Sequence, residues 1–114
     1  MSQFIDLAEA AAMTKEFRSE KENILDTNFK NLDILPVCET FDAAQVVSML
    51  KNPECTGLRI YYGMDEHNKI HAILVGVNSE DEDILPPSDE PENYILERSR
   101  RCPMYCPPPS GLNS

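Results

Sequence analysis

Glycine is scarce in this chain, with four residues among 114, and tryptophan is absent. So few glycines make a phosphate cradle hard to build, and neither a P-loop nor a G-x-G-x-x-G run occurs. G-x-S-x-G and H-E-x-x-H are also missing, so no nucleophile elbow or zincin helix is expected. Bases are few: ten Lys and Arg stand against twenty Asp and Glu, for a net charge of −10. That field repels phosphate backbones and anionic lipid, so neither nucleic acid nor a membrane is an expected partner. The acid excess keeps a protein soluble and can also attract a basic partner.

Long apolar runs are missing too. Ala72-Ile73-Leu74-Val75, followed by Gly76 and Val77, falls far short of a bilayer span. The opening M-S-Q-F-I-D-L-A-E-A-A-A-M lacks a basic region and carries Asp6 and Glu9, so no signal peptide is expected. These features predict a cytoplasmic protein whose four thiols are mostly reduced and do not form a disulfide framework. The hydrophobic share of 41% lies a little below the globular average, so part of the chain is expected to stay unpacked. The length suits one domain.

What is present reads as an α+β pattern. Residues 3–20 predict a helix capped by Ser2, with Phe4, Leu7, Ala8 and Ala11 on one face. Residues 21–35 have no clean period and read as an irregular connection. A short strand is expected between Pro36 and Phe41, with Glu39 on the side opposite Cys38 and Thr40. Asp42 and Gln45 suggest a capping box for a second helix, whose stripe is Ala43, Val46, Val47 and Leu50 and whose stop is Asn52-Pro53. Gly57–Gly63 and Ile70–Val77 alternate as strands around a polar turn in which Asn68 best tolerates a left-handed conformation. The second strand is apolar on both faces, so both must be covered: one by the two helices, the other by residues 21–35, the C-terminal segment or a second copy.

Composition shifts after Asn78. Residues 78–92 hold seven acids and no base, then Tyr94-Ile95-Leu96 offers an apolar anchor. Arg98, Arg100 and Arg101 precede a tail containing Pro103, Pro107, Pro108 and Pro109. The division expected is a compact domain at 1–88 and an acidic, proline-rich tail at 89–114, with a short docked strand at 94–98. The remaining tail should be extended and flexible, because proline favours polyproline II and lacks a backbone donor.

The stretches G-L-R-I-Y-Y-G-M-D, V-G-V-N and D-I-L, with a C-P-x-Y-C-P tail closing on L-N-S, resemble a family of small uncharacterised bacterial proteins. In that family a short helix precedes an I-R-x-Y-x-G hairpin. The resemblance covers roughly residues 42–114 and implies that the tail belongs with the domain. No established activity carries over to any residue. The turn His67-Asn68 departs from the Asn-Gly type more usual there.

Cys102 and Cys106 leave three alternatives open. Zinc needs four ligands, and the pair supplies one arm. His67 and His71 are four apart but lie on opposite sides of a hairpin turn; Cys38 could contribute, Cys55 reads as a small buried residue, and two chains could share a site. A disulfide would need the prolines to bend the chain and would stabilise by about 2 kcal/mol on the chain-entropy model. Neighbouring arginines would raise thiol reactivity. The third alternative is an unreactive docking tail.

Elsewhere the bland readings prevail. Glu80-Asp81-Glu82-Asp83 lacks an EF-hand register and reads as a solvated run able to pair with the tail arginines. His71 shares a strand face with Ile73 and Val75 and reads as a satisfied histidine. Arg59 beside Tyr61 reads as a stacking pair. An enzyme built on Arg59, Tyr61 and His71 is the most distant alternative.

The sequence therefore predicts two helices packed on a small, mainly antiparallel sheet centred on the hairpin, with a flexible tail. It predicts a protein-interaction or adaptor module without catalytic activity or cofactor. The partner would be another protein or a second copy of the chain in a homodimer, contacted through Arg98, Arg100, Arg101 and Tyr105. The alternative is a thiol-redox or zinc-binding protein acting through Cys102 and Cys106.

Overall fold

Alternation between residues 57 and 77 produces the central element of the fold. In a computed structural model that describes residues 2–89 and 94–113, strand β2 (Gly57–Met64) pairs antiparallel with β3 (Ile70–Val77). The register runs from Gly57 opposite Val77 to Met64 opposite Ile70. Asn68 turns the chain with φ of 64°, a conformation its short polar side chain tolerates. The Asp65 carboxylate holds the turn by accepting from the backbone N–H of His67 at 2.8 Å and of Lys69 at 3.0 Å.

Two short antiparallel pairings complete a small α+β fold. Strand β4 (Ile95–Leu96) lies on the far edge of β3, Leu74 opposite Leu96 and Val75 opposite Ile95. Strand β1 (Cys38–Thr40) pairs with β5 (Arg100–Cys102) as a separate ribbon. Both β4 and β5 lie beyond residue 88, so the region following the acidic run supplies one strand to each sheet.

β4 covers only two residues of the β3 edge. The rest is closed by groups from elsewhere. Ile70 donates its N–H to the Ile34 carbonyl at 2.8 Å, and Arg101 donates to the Ile70 carbonyl. Glu39 accepts from the N–H of Ala72 at 2.9 Å and from the Ser99 hydroxyl at 2.8 Å. Glu39 and Arg101 are direct cross-strand partners, 3.7 Å apart at their charged ends and largely buried. Ribbon side chains, together with the Ile34 carbonyl, thus cap the part of the β3 edge that β4 leaves uncovered.

Helix α1 (Leu7–Glu20) begins later than the composition suggests. The Asp6 carboxylate takes the Glu9 N–H at 2.8 Å and makes Asp6 the cap, while Ser2 closes a local turn onto Phe4 N–H. No residue of α1 is buried. Its contacts include the tail: Arg18 donates to the Leu112 carbonyl at 2.5 Å, and Leu7 lies against Gly111. Helix α2 (Ala43–Leu50) sits where the stop and cap signals place it, but Asp42 makes no side-chain cap bond. That carboxylate instead faces Arg100 at 3.3 Å. Met49 is the residue α2 buries, whereas Val47 and Leu50 of the expected stripe stay exposed.

The core is Ile34, Met49, Leu74, Val75, Val77 and Cys102, centred on β3. Over Gly76 the chain returns on itself: Ile84 donates its N–H to the Gly76 carbonyl at 2.9 Å. A Cβ at Gly76 would lie 2.9 Å from Cys55 Sγ, so any larger residue there would force the Cys55 side chain to shift. Coverage of β3 therefore comes from α2, Ile34, Ile84 and Cys55, with α1 outside the core.

Removing Glu39 tests the closure. Glu39→Ala leaves Arg101 without its carboxylate and Ala72 N–H without an acceptor, and should destabilise by about 3 kcal/mol. Glu39→Gln keeps an acceptor for Ala72 and should cost less. Urea unfolding of the two variants gives the comparison; equal, negligible losses would show that the edge does not need this group.

Candidate functional site

Four groups of residues could act on other molecules. The first lies between β2 and the acidic run. Arg59 donates to Asp83 at 2.7 Å and to Asp81 at 2.5 Å, and Tyr61 donates to the other Asp83 oxygen at 2.5 Å. Asp81 and Asp83 therefore pair with Arg59 and not with the tail arginines: the isolated bridge between Val77 and Asp83 lays the run along the β3 edge away from β2, and Arg59 and Tyr61 reach across the sheet face to it. Arg59 and Tyr61 meet at one carboxylate, that of Asp83. The Tyr61 bond, with that from Arg59, holds Asp83 below its ordinary range; the same contact with Asp83 raises both Tyr61 and Arg59. An arginine held by two carboxylates is poorly placed to receive an anion.

The second group surrounds His71. Its Nε2 lies 2.7 Å from Asp65 Oδ2 and its Nδ1 lies 3.2 Å from Glu97 Oε1. Gly63, Met64 and Ile73 complete an open groove of about 220 Å³ around these three side chains. The contact with His71, assisted by the N–H groups of Lys69 and His67, holds the Asp65 carboxyl down at about 2. Both ring nitrogens of His71 face acids, so neither is directed at a substrate as a general base requires. The face assignment beside Ile73 and Val75 follows from the register, which leaves His71 opposite Gly63.

The third group is the tail. Cys102 and Cys106 are joined in a disulfide with Cα atoms 4.5 Å apart. Sulfurs bonded to one another are not thiolate ligands, and among the described residues no group of three or more His, Cys, Asp or Glu could hold a metal ion. Arg101 is turned inward onto Ile70 and Glu39, and Arg100 faces Asp42. Arg98 and Tyr105 are exposed. Cys38, which the sequence offered only as a spare zinc ligand, lies directly opposite Cys102 across the ribbon.

The fourth is the outer flank of β2. Among the described residues no strand pairs with its free edge, since the sheet order is β2-β3-β4. Leu58, Ile60, Tyr62 and Met64 project from one face and are all exposed, Tyr62 to 77% and Met64 to 62%. The sequence marks these residues as one side of a strand. It does not show that the strand lies at the edge, which depends on where β4 docks.

Comparison with protein-family models, with curated proteins and with solved structures finds no match to this chain. No helix among the described residues is long and apolar enough to cross a membrane.

The His71 group generates a pH prediction. A carboxyl held at about 2 instead of 3.8 stabilises the fold above the higher value, and this is lost as pH falls from about 4 towards 2. Asp83, also depressed, acts in the same direction. Asp65→Asn should flatten the acid limb of a stability–pH profile in that window. An unchanged limb would mean that the contact with His71 contributes nothing.

Proposed function

We propose that this chain is a small protein-interaction module that docks through the open edge and apolar row of β2, and that its first occupant is a second copy of itself. One observation supports this above the others: an eight-residue strand keeps its outer edge unpaired beside four exposed apolar side chains. Soluble proteins usually blunt such an edge with charge, proline or a bulge, because it templates pairing with another strand. None of these devices stands in Leu58–Met64 apart from Arg59, which Asp81 and Asp83 neutralise.

The strand is self-complementary. Placing Tyr61 on a two-fold axis sets Ile60 opposite Tyr62, Leu58 opposite Met64 and Arg59 opposite Gly63 of the second copy. All these pairs join residues of like parity, so the two apolar rows meet on one face. Asp65 of one copy then falls opposite Gly57 of the other, one diagonal step from Arg59. No like charges oppose one another in this register, and the two three-stranded sheets become continuous. The resemblance to small bacterial hairpin proteins fits a module of this kind but assigns no residue.

Light scattering of the purified chain should give twice its 12.9 kDa mass at micromolar concentration. Ile60→Lys and Tyr62→Lys, each placing a charge in the row, should both return the single-chain mass without altering the far-ultraviolet circular dichroism. A wild-type chain that stays monomeric up to several hundred micromolar would rule out the second copy as occupant.

A further inference from the structure

The β1–β5 register brings a third sulfur to the disulfide. Cys38 faces Cys102 directly across the antiparallel ribbon, while Cys102 is bonded to Cys106 in the loop that follows β5. Directly opposed residues in such a pair have Cα atoms about 4.5–5.5 Å apart and side chains on the same face. That separation falls within the range a disulfide spans, about 4.4–6.8 Å. Cys102 is buried, Cys38 half-buried and Cys106 exposed. Cys38 is a free thiol; Cys55, the other one, hydrogen-bonds to the Gly57 carbonyl beside the hairpin. One sulfur, Cys102, thus has two alternative partners within reach of its backbone position.

We propose that Cys38, Cys102 and Cys106 form a thiol–disulfide relay that takes an external disulfide as its substrate. In the first step the Cys38 thiolate attacks Cys102 Sγ. The Cys102–Cys106 bond breaks, its electron pair leaves on Cys106 Sγ, and a Cys38–Cys102 bond forms. The proton given up by Cys38 balances the one Cys106 takes up when it rests as a thiol. One disulfide replaces another, so the step needs neither oxidant nor reductant. In the second step the exposed Cys106 thiolate attacks an external disulfide, forms a mixed disulfide and releases one equivalent of external thiol. The relay moves the covalent staple from the tail loop to the ribbon. β1 and β5 become cross-linked, and the loop at residues 103–106 opens, leaving Cys106 as a reactive cysteine.

The burial pattern suits this division. The sulfur that changes partner is shielded from solvent, while the sulfur released is accessible. Tyr105 donates its N–H to the Arg101 carbonyl at 2.8 Å and helps to keep the closed loop folded against β5. On the ribbon side, Val37 donates to the Cys102 carbonyl at 2.8 Å, which keeps β1 at the level of the disulfide.

The experiment uses the full chain carrying Cys55→Ser, oxidised so that non-reducing peptide mapping shows the 102–106 link, then incubated with oxidised glutathione and quenched in acid. The relay predicts glutathione on Cys106 together with a 38–102 linked peptide, and complete loss of Cys106 glutathionylation when Cys38→Ser is added. Glutathione on Cys38 with the 102–106 link intact would overturn it. A second arm needs no preformed loop: Cys106→Ser with oxidised glutathione should convert to the 38–102 disulfide, releasing two equivalents of glutathione thiol per chain. If glutathione stays on Cys38 or Cys102 there, the two sulfurs do not meet and the relay is wrong. Circular dichroism of each variant confirms that the fold is retained.

Discussion

The contact on which the rest of the structure depends is the Glu39–Arg101 pair. Strand β3 carries the core but receives only two residues of β4 along its far edge. An exposed or empty edge at Ile70 and Ala72 would leave backbone groups unpaired beside apolar side chains, which costs free energy comparable to a lost hydrogen bond for each group. Glu39 and Arg101 supply an acceptor and a donor at that place while neutralising one another. Because both belong to the β1–β5 ribbon, the same contact joins the ribbon to the hairpin sheet. It also gives the segment after the acidic run its place in the fold.

Closing one edge defines the other. With β4 and the ribbon on one side of β3, the hairpin partner β2 is left as the outer strand, and the apolar row on one of its faces is exposed. The acidic run is drawn to one face of the sheet only. Arg59 and Tyr61 hold Asp81 and Asp83 there, leaving the face of Ile60 and Tyr62 uncovered. Exposure at β2 and closure at β3 are thus two outcomes of a single arrangement.

The sequence shows the hairpin clearly because period-two alternation and a left-handed Asn68 are local features. The second helix shows its limits for similar reasons, through Asp42 before it and Asn52-Pro53 after it. Its buried face does not show. A stripe chosen by hydrophobicity included Val47 and Leu50, while packing selected Met49, because the helix meets the sheet on a narrow contact and not along its whole side. The roles of Glu39, Asp65 and Glu97 are illegible for a different reason. Glu39 bonds to residues 33 and 60 positions away, and no local pattern foretells such a carboxylate. His71 is recognisable as a satisfied histidine, but its acids are not, since one lies in the turn and the other beyond the acidic run. Cys38 is visible as a cysteine; its place beside Cys102 depends wholly on the register of two three-residue strands.

Amide hydrogen exchange, followed residue by residue across a range of protein concentration, bears most directly on the claim that one edge is sealed from within the chain and the other is open. The amides of Ile70 and Ala72 should exchange slowly at every concentration, because groups within the chain hold them. Alternate amides of β2, those pointing away from β3, should exchange fast in dilute protein and slow as copies pair. Uniform protection along β2 at the lowest concentration, or rapid exchange at Ile70 and Ala72, would contradict the account.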